Sequence, residues 1–214
     1  MSTPLLIVGF IIIAIIGYLI GSISASIIVS KLLKNDDIRN HGSKNAGMTN
    51  VLRTYGKKYA VITLLGDFFK AVIAVVIGGL IAHYILKVPY IYGDYVAGIS
   101  ALMGHIFPIY FGFRGGKGIL TTAGVILCMD YRVLIALVAV FLLVALTTKI
   151  VSLGSITVAI LYPVFTALFA YLSKAPVLYD TIFAGIIGII VLYMHRENIK
   201  RLINGTEHKF GHKK

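Results

Sequence analysis

The sequence predicts an all-α, polytopic integral membrane protein with about seven transmembrane helices, one or two of them short. Its N-terminus is expected outside and its C-terminus in the cytoplasm. Three observations lead there. Of 214 residues, 58% are hydrophobic and only 13% charged, with a mean hydropathy of +0.93, which is not the composition of a soluble domain. The apolar residues gather into runs, several of them near the ~20 residues that cross a bilayer core of ~30 Å. The net charge of +12 sits in loops between those runs. That placement fits membrane orientation and attraction to anionic head groups, and argues against nucleic acid as a partner.

Seven apolar segments can be marked, at 5–30, 59–86, 92–113, 118–129, 132–147, 150–173 and 178–194. The first lacks a charged segment before it and is too long for the core of a cleavable signal, so it is expected to stay as a spanning helix. The second is interrupted by Asp67 and Lys70. Charges inside a span are costly, and their i, i+3 spacing predicts an interior-facing ion pair that supports a site. The third carries His105 and Pro108 near its end, where proline kinks or stops a helix. The fourth has twelve residues and a rise of about 18 Å, too short to span unaided, and it is expected to pair with 132–147 around Asp130-Tyr131-Arg132. Loops are short except for 31–58 and the tail, and no internal repeat is visible, so 1–214 is expected to be a single transmembrane domain. Sixteen Lys and Arg fall on the face holding 31–58, 114–117, Lys149 and the tail, against three on the other face, and this bias sets the orientation. The single cysteine, Cys128, lies in an apolar stretch and forms no disulfide or metal framework.

The polar residues concentrate on the predicted cytoplasmic face. The stretch Gly104–Ile119 leaves one apolar run, crosses a basic, glycine-dense turn and enters the next. Glycines let backbone N–H groups approach an anion, Arg114 and Lys117 supply charge, and a helix starting after Gly118 aims its dipole at the same spot. The loop Gly42–Arg53 is dense in hydroxyl, amide and cationic groups, with Ser43, Asn45, Asn50 and Arg53 the candidates. A helix starting near Asn45 puts Asn50 and Arg53 on one face. The last segment leads into His195-Arg196-Glu197-Asn198, where basic residues anchor to anionic lipid but a His–Asn pair on the membrane side asks for another explanation. Ser152 and Ser155 form a further polar cluster at a helix start. Several chemistries are excluded. Phe111 stands where a Walker A loop needs its first glycine, and Gly118 replaces the Ser/Thr after the lysine. There is no HExxH, no CxxC, no Gly-x-Ser-x-Gly and no carboxylate cluster for a metal. The expected site is cationic and amide-rich, with no metal and no cofactor.

Together these segments resemble the bacterial acyl-phosphate:glycerol-3-phosphate acyltransferases, the PlsY family. The pattern Gly-Ser-x-Asn-x-Gly-x-x-Asn-x-x-Arg is met by Gly42, Ser43, Asn45, Gly47, Asn50 and Arg53. The second, Gly-His-x-Phe-Pro followed by Phe and Gly-Gly-Lys-Gly, is met by Gly104, His105, Phe107, Pro108, Phe113 or Phe111, and Gly115, Gly116, Lys117 and Gly118. The third is met by His195, Asn198, Ile199, Arg201, Leu202, Gly205 and Glu207. One departure is Ala71, where a glycine commonly follows the lysine. The resemblance implies transfer of a fatty acyl group from acyl phosphate to the 1-hydroxyl of glycerol 3-phosphate, giving lysophosphatidate and inorganic phosphate, at the start of bacterial phospholipid synthesis. It implies glycerol 3-phosphate binding by the glycine-rich motif, and activity that needs Ser43 and Arg53, His195 and Asn198. With His105 and Lys117 these make the expected catalytic set. Asn45, Asn50, Gly115, Gly116, Gly118, Ser152 and Ser155 are the expected substrate and phosphate contacts, and Asp67, Lys70 and Glu207 the expected structural support. The base that deprotonates the attacking hydroxyl is left open between His105, His195 and a substrate phosphate, with the substrate favoured. The expected setting is the bacterial plasma membrane, with membrane lipid around a functional monomer. The rival reading is a small organophosphate transporter with 118–129 as a half-helix anion site.

Overall fold

A computed structural model describes residues 2–210, and the described residues hold helices and connecting turns without a strand. The helices are α1 (Thr3–Gly21), α2 (Ala25–Lys34), α3 (Met48–Tyr55), α4 (Lys57–Leu80), α5 (Tyr90–Ile106), α6 (Ile119–Met129), α7 (Tyr131–Thr148), α8 (Val151–Leu172), α9 (Leu178–Met194) and α10 (Arg196–Ile203). Among the described residues, four helical stretches are long and apolar enough to cross a membrane: Thr3–Lys34, Lys57–Ile85, Tyr131–Thr148 and Val151–Leu172. A fifth results if α9 and α10, bent by 61°, are taken as one. The chain divides into two compact units between Met129 and Asp130.

In the first unit, α1 lies on α5 and α5 on α4 through small residues. Gly17 and Gly21 meet Ala97 and Ala101, Gly104 meets the Tyr18 carbonyl, and Gly78 meets Gly93. A Cβ on Gly21 or Gly104 would overlap the facing backbone. In lipid, no hydrophobic force draws helices together, so close approach of small residues supplies the contact instead.

The first apolar run, expected as one helix over 5–30, is broken at Ser22–Ser24. The Ser22 hydroxyl donates to the Tyr18 carbonyl at 2.8 Å, and Ser24 adopts an extended backbone before α2. Breaking a helix at membrane depth frees backbone groups that water cannot reach, and other protein groups must satisfy them. The third run also departs from expectation. It is helical only to Ile106, because Pro108 has no N–H to continue the ladder, and the chain turns through Ile109–Phe111 before α6. At eleven residues, α6 rises about 16 Å, too little to span without its flanking residues.

In the second unit, Asp130 caps α7 by accepting from the Arg132 amide at 2.9 Å and holds the Arg132 guanidinium at 2.7 Å. Lys149, at φ 59°, ends α7 and α8 follows. Pro163 inside α8 cannot donate to the Ala159 carbonyl, and Gly188 of α9 packs on that carbonyl, where a Cβ would crowd it. The axis then turns at His195 into α10.

Candidate active site

The break between α1 and α2 sets the buried chemistry of the first unit. Lys70 Nζ has three N–H groups and three acceptors: the Ile23 carbonyl at 2.7 Å, Asp67 Oδ1 at 2.9 Å and His105 Nδ1 at 2.9 Å. Asp67 Oδ1 also accepts the Ala25 amide at 3.3 Å. The ion pair read from the i, i+3 spacing therefore caps both sides of the break. The cation meets the carbonyl end of one helix and the anion meets the amide end of the next, as their dipoles favour. Asp67, Lys70 and His105 are 1%, 5% and 3% exposed.

An ammonium only donates, so His105 Nδ1 accepts and the neutral ring carries its proton on Nε2. The 3.6 Å approach of Asp67 Oδ1 to Nδ1 is then a contact between two acceptors that share one lysine, too long for a hydrogen bond. The Nε2 edge lies against Gly116, where a Cβ would overlap both the imidazole and the Ala46 carbonyl.

The Gly115 and Gly116 amides, expected to face an anion, do other work. They donate to the Ile106 and His105 carbonyls at 3.1 and 3.2 Å. Pro108 ends α5, its last carbonyls lose their helical partners, and the returning glycines cap them. The turn passes through two left-handed residues, Gly112 at φ 68° and Phe113 at φ 57°, and Gly118 at φ 90° opens α6. Donors that the helix itself leaves unused lie in the first turn of α6, directly after Lys117.

In the loop Gly42–Arg53, Asn50 is 2% exposed, and its carboxamide is consumed by backbone. The two N–H groups of Nδ2 are shared among the Ile38, His41 and Asn45 carbonyls at 3.1, 2.9 and 3.1 Å, and Oδ1 accepts the Ser43 amide at 3.1 Å. Asn50 thus shapes the loop, with its donors spent on backbone carbonyls. The helix there begins at Met48, later than Asn45. Asn45 enters through its carbonyl, while the Ser43 and Arg53 side chains are exposed.

In the second unit, His195 is 3% exposed, and its Nδ1–H donates to the Val191 carbonyl at 2.8 Å. Its Nδ1 therefore carries a proton, where the Nδ1 of His105 accepts one. Asn198 donates to Glu207 Oε1 at 3.0 Å and Arg201 to Oε2 at 2.8 Å. Burial raises the Glu207 pKa, but the bonds from Arg201 and Asn198 and the nearby Ser152 hydroxyl outweigh it and hold the carboxyl below its ordinary value. The Ser152 hydroxyl is buried beside that carboxylate without completing a hydrogen bond, and Ser155 donates to the Val151 carbonyl at 3.1 Å.

Sequence reasoning misses two sets of groups. The first is the buried serine row Ser22, Ser24, Ser26 and Ser30, all 0% exposed, whose signal was the Gly-Ser-Ile-Ser interruption inside an apolar run. The second is Arg39, counted only as a loop charge. It is gripped by Asp37 and reaches the Phe111 carbonyl at 2.6 Å and the Arg114 carbonyl at 3.2 Å. The hydrogen bonds from the Arg39 side chain and amide hold the Asp37 carboxyl below its ordinary range, against the opposing effect of burial.

A chain of apolar helices whose buried ion pair orients a histidine under a cationic, glycine-rich turn has the make-up of an integral membrane enzyme for anionic substrates. Comparison with known proteins narrows the class. Residues 11–205 match the family model described as glycerol-3-phosphate acyltransferase. A relative of that name from Clostridioides difficile (strain 630) is 44% identical, the match covering 96% of this chain and 98% of the relative. Another, from Finegoldia magna (strain ATCC 29328 / DSM 20472 / WAL 2508), is 43% identical over 94% and 96%. A crystal structure of PlsY (YgiH), an integral membrane glycerol 3-phosphate acyltransferase in its glycerol 3-phosphate form, superposes with a TM-score of 0.79. It is 37% identical, covering 94% of this chain and 96% of that one, and the lysophosphatidic acid form gives a TM-score of 0.76. The chain belongs to the glycerol-3-phosphate acyltransferase family and is an acyltransferase of the membrane-embedded, PlsY kind. The transporter reading gives way to that of an enzyme.

Proposed function

We propose that this enzyme transfers a fatty acyl group from acyl phosphate to the 1-hydroxyl of glycerol 3-phosphate, releasing 1-acylglycerol 3-phosphate and inorganic phosphate. The hydroxyl oxygen forms the new ester bond to the acyl carbon, the acyl–phosphate C–O bond breaks, and the hydroxyl proton leaves with the phosphate. The mixed anhydride is already activated, so neither a metal nor an acyl-enzyme is needed. The names of the relatives, and the two PlsY forms with glycerol 3-phosphate and lysophosphatidic acid, support the acceptor and product.

The observation that carries the reading is the hairpin from His105 to Ile119: a buried imidazole fixed as an Nε2–H donor beneath a turn that presents Lys117 and opens α6. Arg53, Lys117 and the first-turn amides of α6 hold phosphate, with Gly115, Gly116 and Asn50 shaping the backbone around them. Ser43 and Asn45 stand at the mouth of the same loop. Asp67 and Lys70 position His105. His195 and Asn198 serve the acyl-phosphate side, kept in place by Glu207, with Ser152 and Ser155 at the start of α8. With Lys70 on Nδ1, His105 has no acceptor nitrogen for the hydroxyl proton, which favours a phosphate oxygen of the substrate as base.

The apolar runs are read as seven crossings with the N-terminus outside, working as one domain and one monomer in the bacterial inner membrane, with chemistry at the cytoplasmic face. The sixteen-to-three charge bias supports that orientation. The test is purified protein in detergent given acyl phosphate and glycerol 3-phosphate, with acyl-CoA and acyl-carrier protein as competing donors. Phosphate release that requires both substrates is expected. Release without the acceptor, or activity only with a thioester donor, refutes the assignment.

A further inference from the structure

We infer that Arg39, held by Asp37, is a positioning residue that sets the spacing between the Ser43 loop and the Lys117 turn. The inference rests on the reading of those two segments as the glycerol 3-phosphate site.

Satisfaction of the guanidinium carries the argument. Arg39 Nε donates to Asp37 at 3.0 Å and Nη2 to Asp37 Oδ2 at 2.7 Å, a two-pronged grip that fixes the plane of the fork. Nη1 spends its two N–H groups on the Phe111 and Arg114 carbonyls at 2.6 and 3.2 Å. A single N–H, on Nη2, is left. At 16% side-chain exposure, with its donors committed to protein, Arg39 is built to fasten backbone and not to receive a phosphate.

What it fastens matters. Gly112 and Phe113, consecutive left-handed residues, lie between the two carbonyls it holds, and a left-handed phenylalanine is a strained conformation that needs outside support. Lys117 follows three residues after Arg114. On the other side, Asp37 also accepts the Arg39 amide at 3.0 Å, closing the short turn Ile38–Asn40 that leads into His41–Ser43, and Asn50 pins that segment from α3. Lys31 stands 5.9 Å from the centre of the Phe111 ring and steadies the same turn. One planar fork thus joins two segments that must face a single small dianion.

Lysine at this position keeps the charge but has no planar fork. The experiment compares R39K, R39Q and D37N with the parent and with K117A, measuring KM for each substrate, kcat and melting temperature in detergent. R39K and R39Q are expected to raise KM for glycerol 3-phosphate about tenfold or more, the scale on which misplaced binding groups act, with KM for acyl phosphate within about twofold. D37N shifts the same constant in the same direction. Should R39Q fail to fold, R39K decides. Unchanged KM for the acceptor, or equal rises for both substrates with a lowered melting temperature, would mark Arg39 as merely structural and overturn the inference. If K117A also leaves KM for glycerol 3-phosphate unchanged, the site assignment itself fails; if K117A raises it and Arg39 variants do not, only the positioning role falls.

Discussion

Lys70→Met probes whether the buried ion pair holds the helix break together. Methionine keeps the length of the side chain and removes its three donors. Asp67 is left charged and 1% exposed, and the Ile23 carbonyl loses its 2.7 Å partner. Removing one member of a buried pair costs about 3–5 kcal/mol, and an orphaned buried acceptor about 1–3 kcal/mol. The two overlap, because both arise from the same lost ammonium, so about 4 kcal/mol is the expected total. For a unit of this size that corresponds to a fall of about 10 °C or more in melting temperature. The double variant Asp67→Asn, Lys70→Met removes the stranded charge while the new carboxamide oxygen still accepts the Ala25 amide, so it is expected to recover more than half of the loss. Thermal unfolding in detergent by circular dichroism reads both single variants and the double. A Lys70→Met protein that melts within about 3 °C of the parent, or a double variant whose loss equals the sum of the single losses, would refute the coupling.

Three further outcomes follow from the same geometry. Lys117→Ala is expected to raise the glycerol 3-phosphate requirement or abolish turnover; kinetics identical to the parent would remove Lys117 from the site. Gly116→Ala puts a methyl group into the His105 ring and the Ala46 carbonyl, so activity should fall at least about a hundredfold, as expected when a reacting group is displaced by about 1 Å. A fully active alanine variant in the substrate assay would mean the hairpin does not sit this close. Glu207 is held below its ordinary pKa of 4.5, so its contribution to stability is complete above that value and is lost as pH falls through the depressed folded value. Melting temperatures at pH 7 and pH 4 should therefore differ more for the parent than for Glu207→Gln, and equal pH dependence would count against the carboxylate's role.

Much of this was legible in the chain. Apolar runs placed the helices because lipid demands continuous apolar length, and Pro108 marked the end of α5 because a missing N–H has the same effect everywhere. The i, i+3 spacing of Asp67 and Lys70 foretold their contact, since three residues along a helix bring side chains to one face. What escaped depended on partners distant in sequence. Nothing in Asn50 itself says whether its amide will meet a phosphate or the Ile38, His41 and Asn45 carbonyls, because both are acceptors. The Gly115 and Gly116 amides are hard to read for a related reason: glycine spacing signals close backbone approach, but whether the approaching group is an anion or the frayed end of α5 depends on where the hairpin lands. Arg39 escaped because its role lies in two carbonyls more than seventy residues away, and carbonyls leave no trace in a sequence.

The buried pair also bears on why the first span is broken at all. A buried ion pair is seldom justified by stability, since well-packed apolar residues of the same volume often do better. That exchange is closed to Asp67 and Lys70, because their partners include the Ile23 carbonyl and the Ala25 amide, which no apolar side chain can satisfy. The break in turn frees the chain around Ser22, whose hydroxyl accepts the Ile109 amide at 3.4 Å, while Tyr18 donates to the Phe107 carbonyl at 2.7 Å. Both bonds anchor the place where α5 gives way to the glycine turn. Lys70, having capped one side of the break, spends its third N–H on His105 and so decides which nitrogen of that ring faces Gly116. An unbroken helix over residues 5–30 would remove the acceptor that holds Lys70, and with it the fixed proton on His105. The interruption in the first span and the orientation of the site histidine are therefore one structural decision, made by a single lysine.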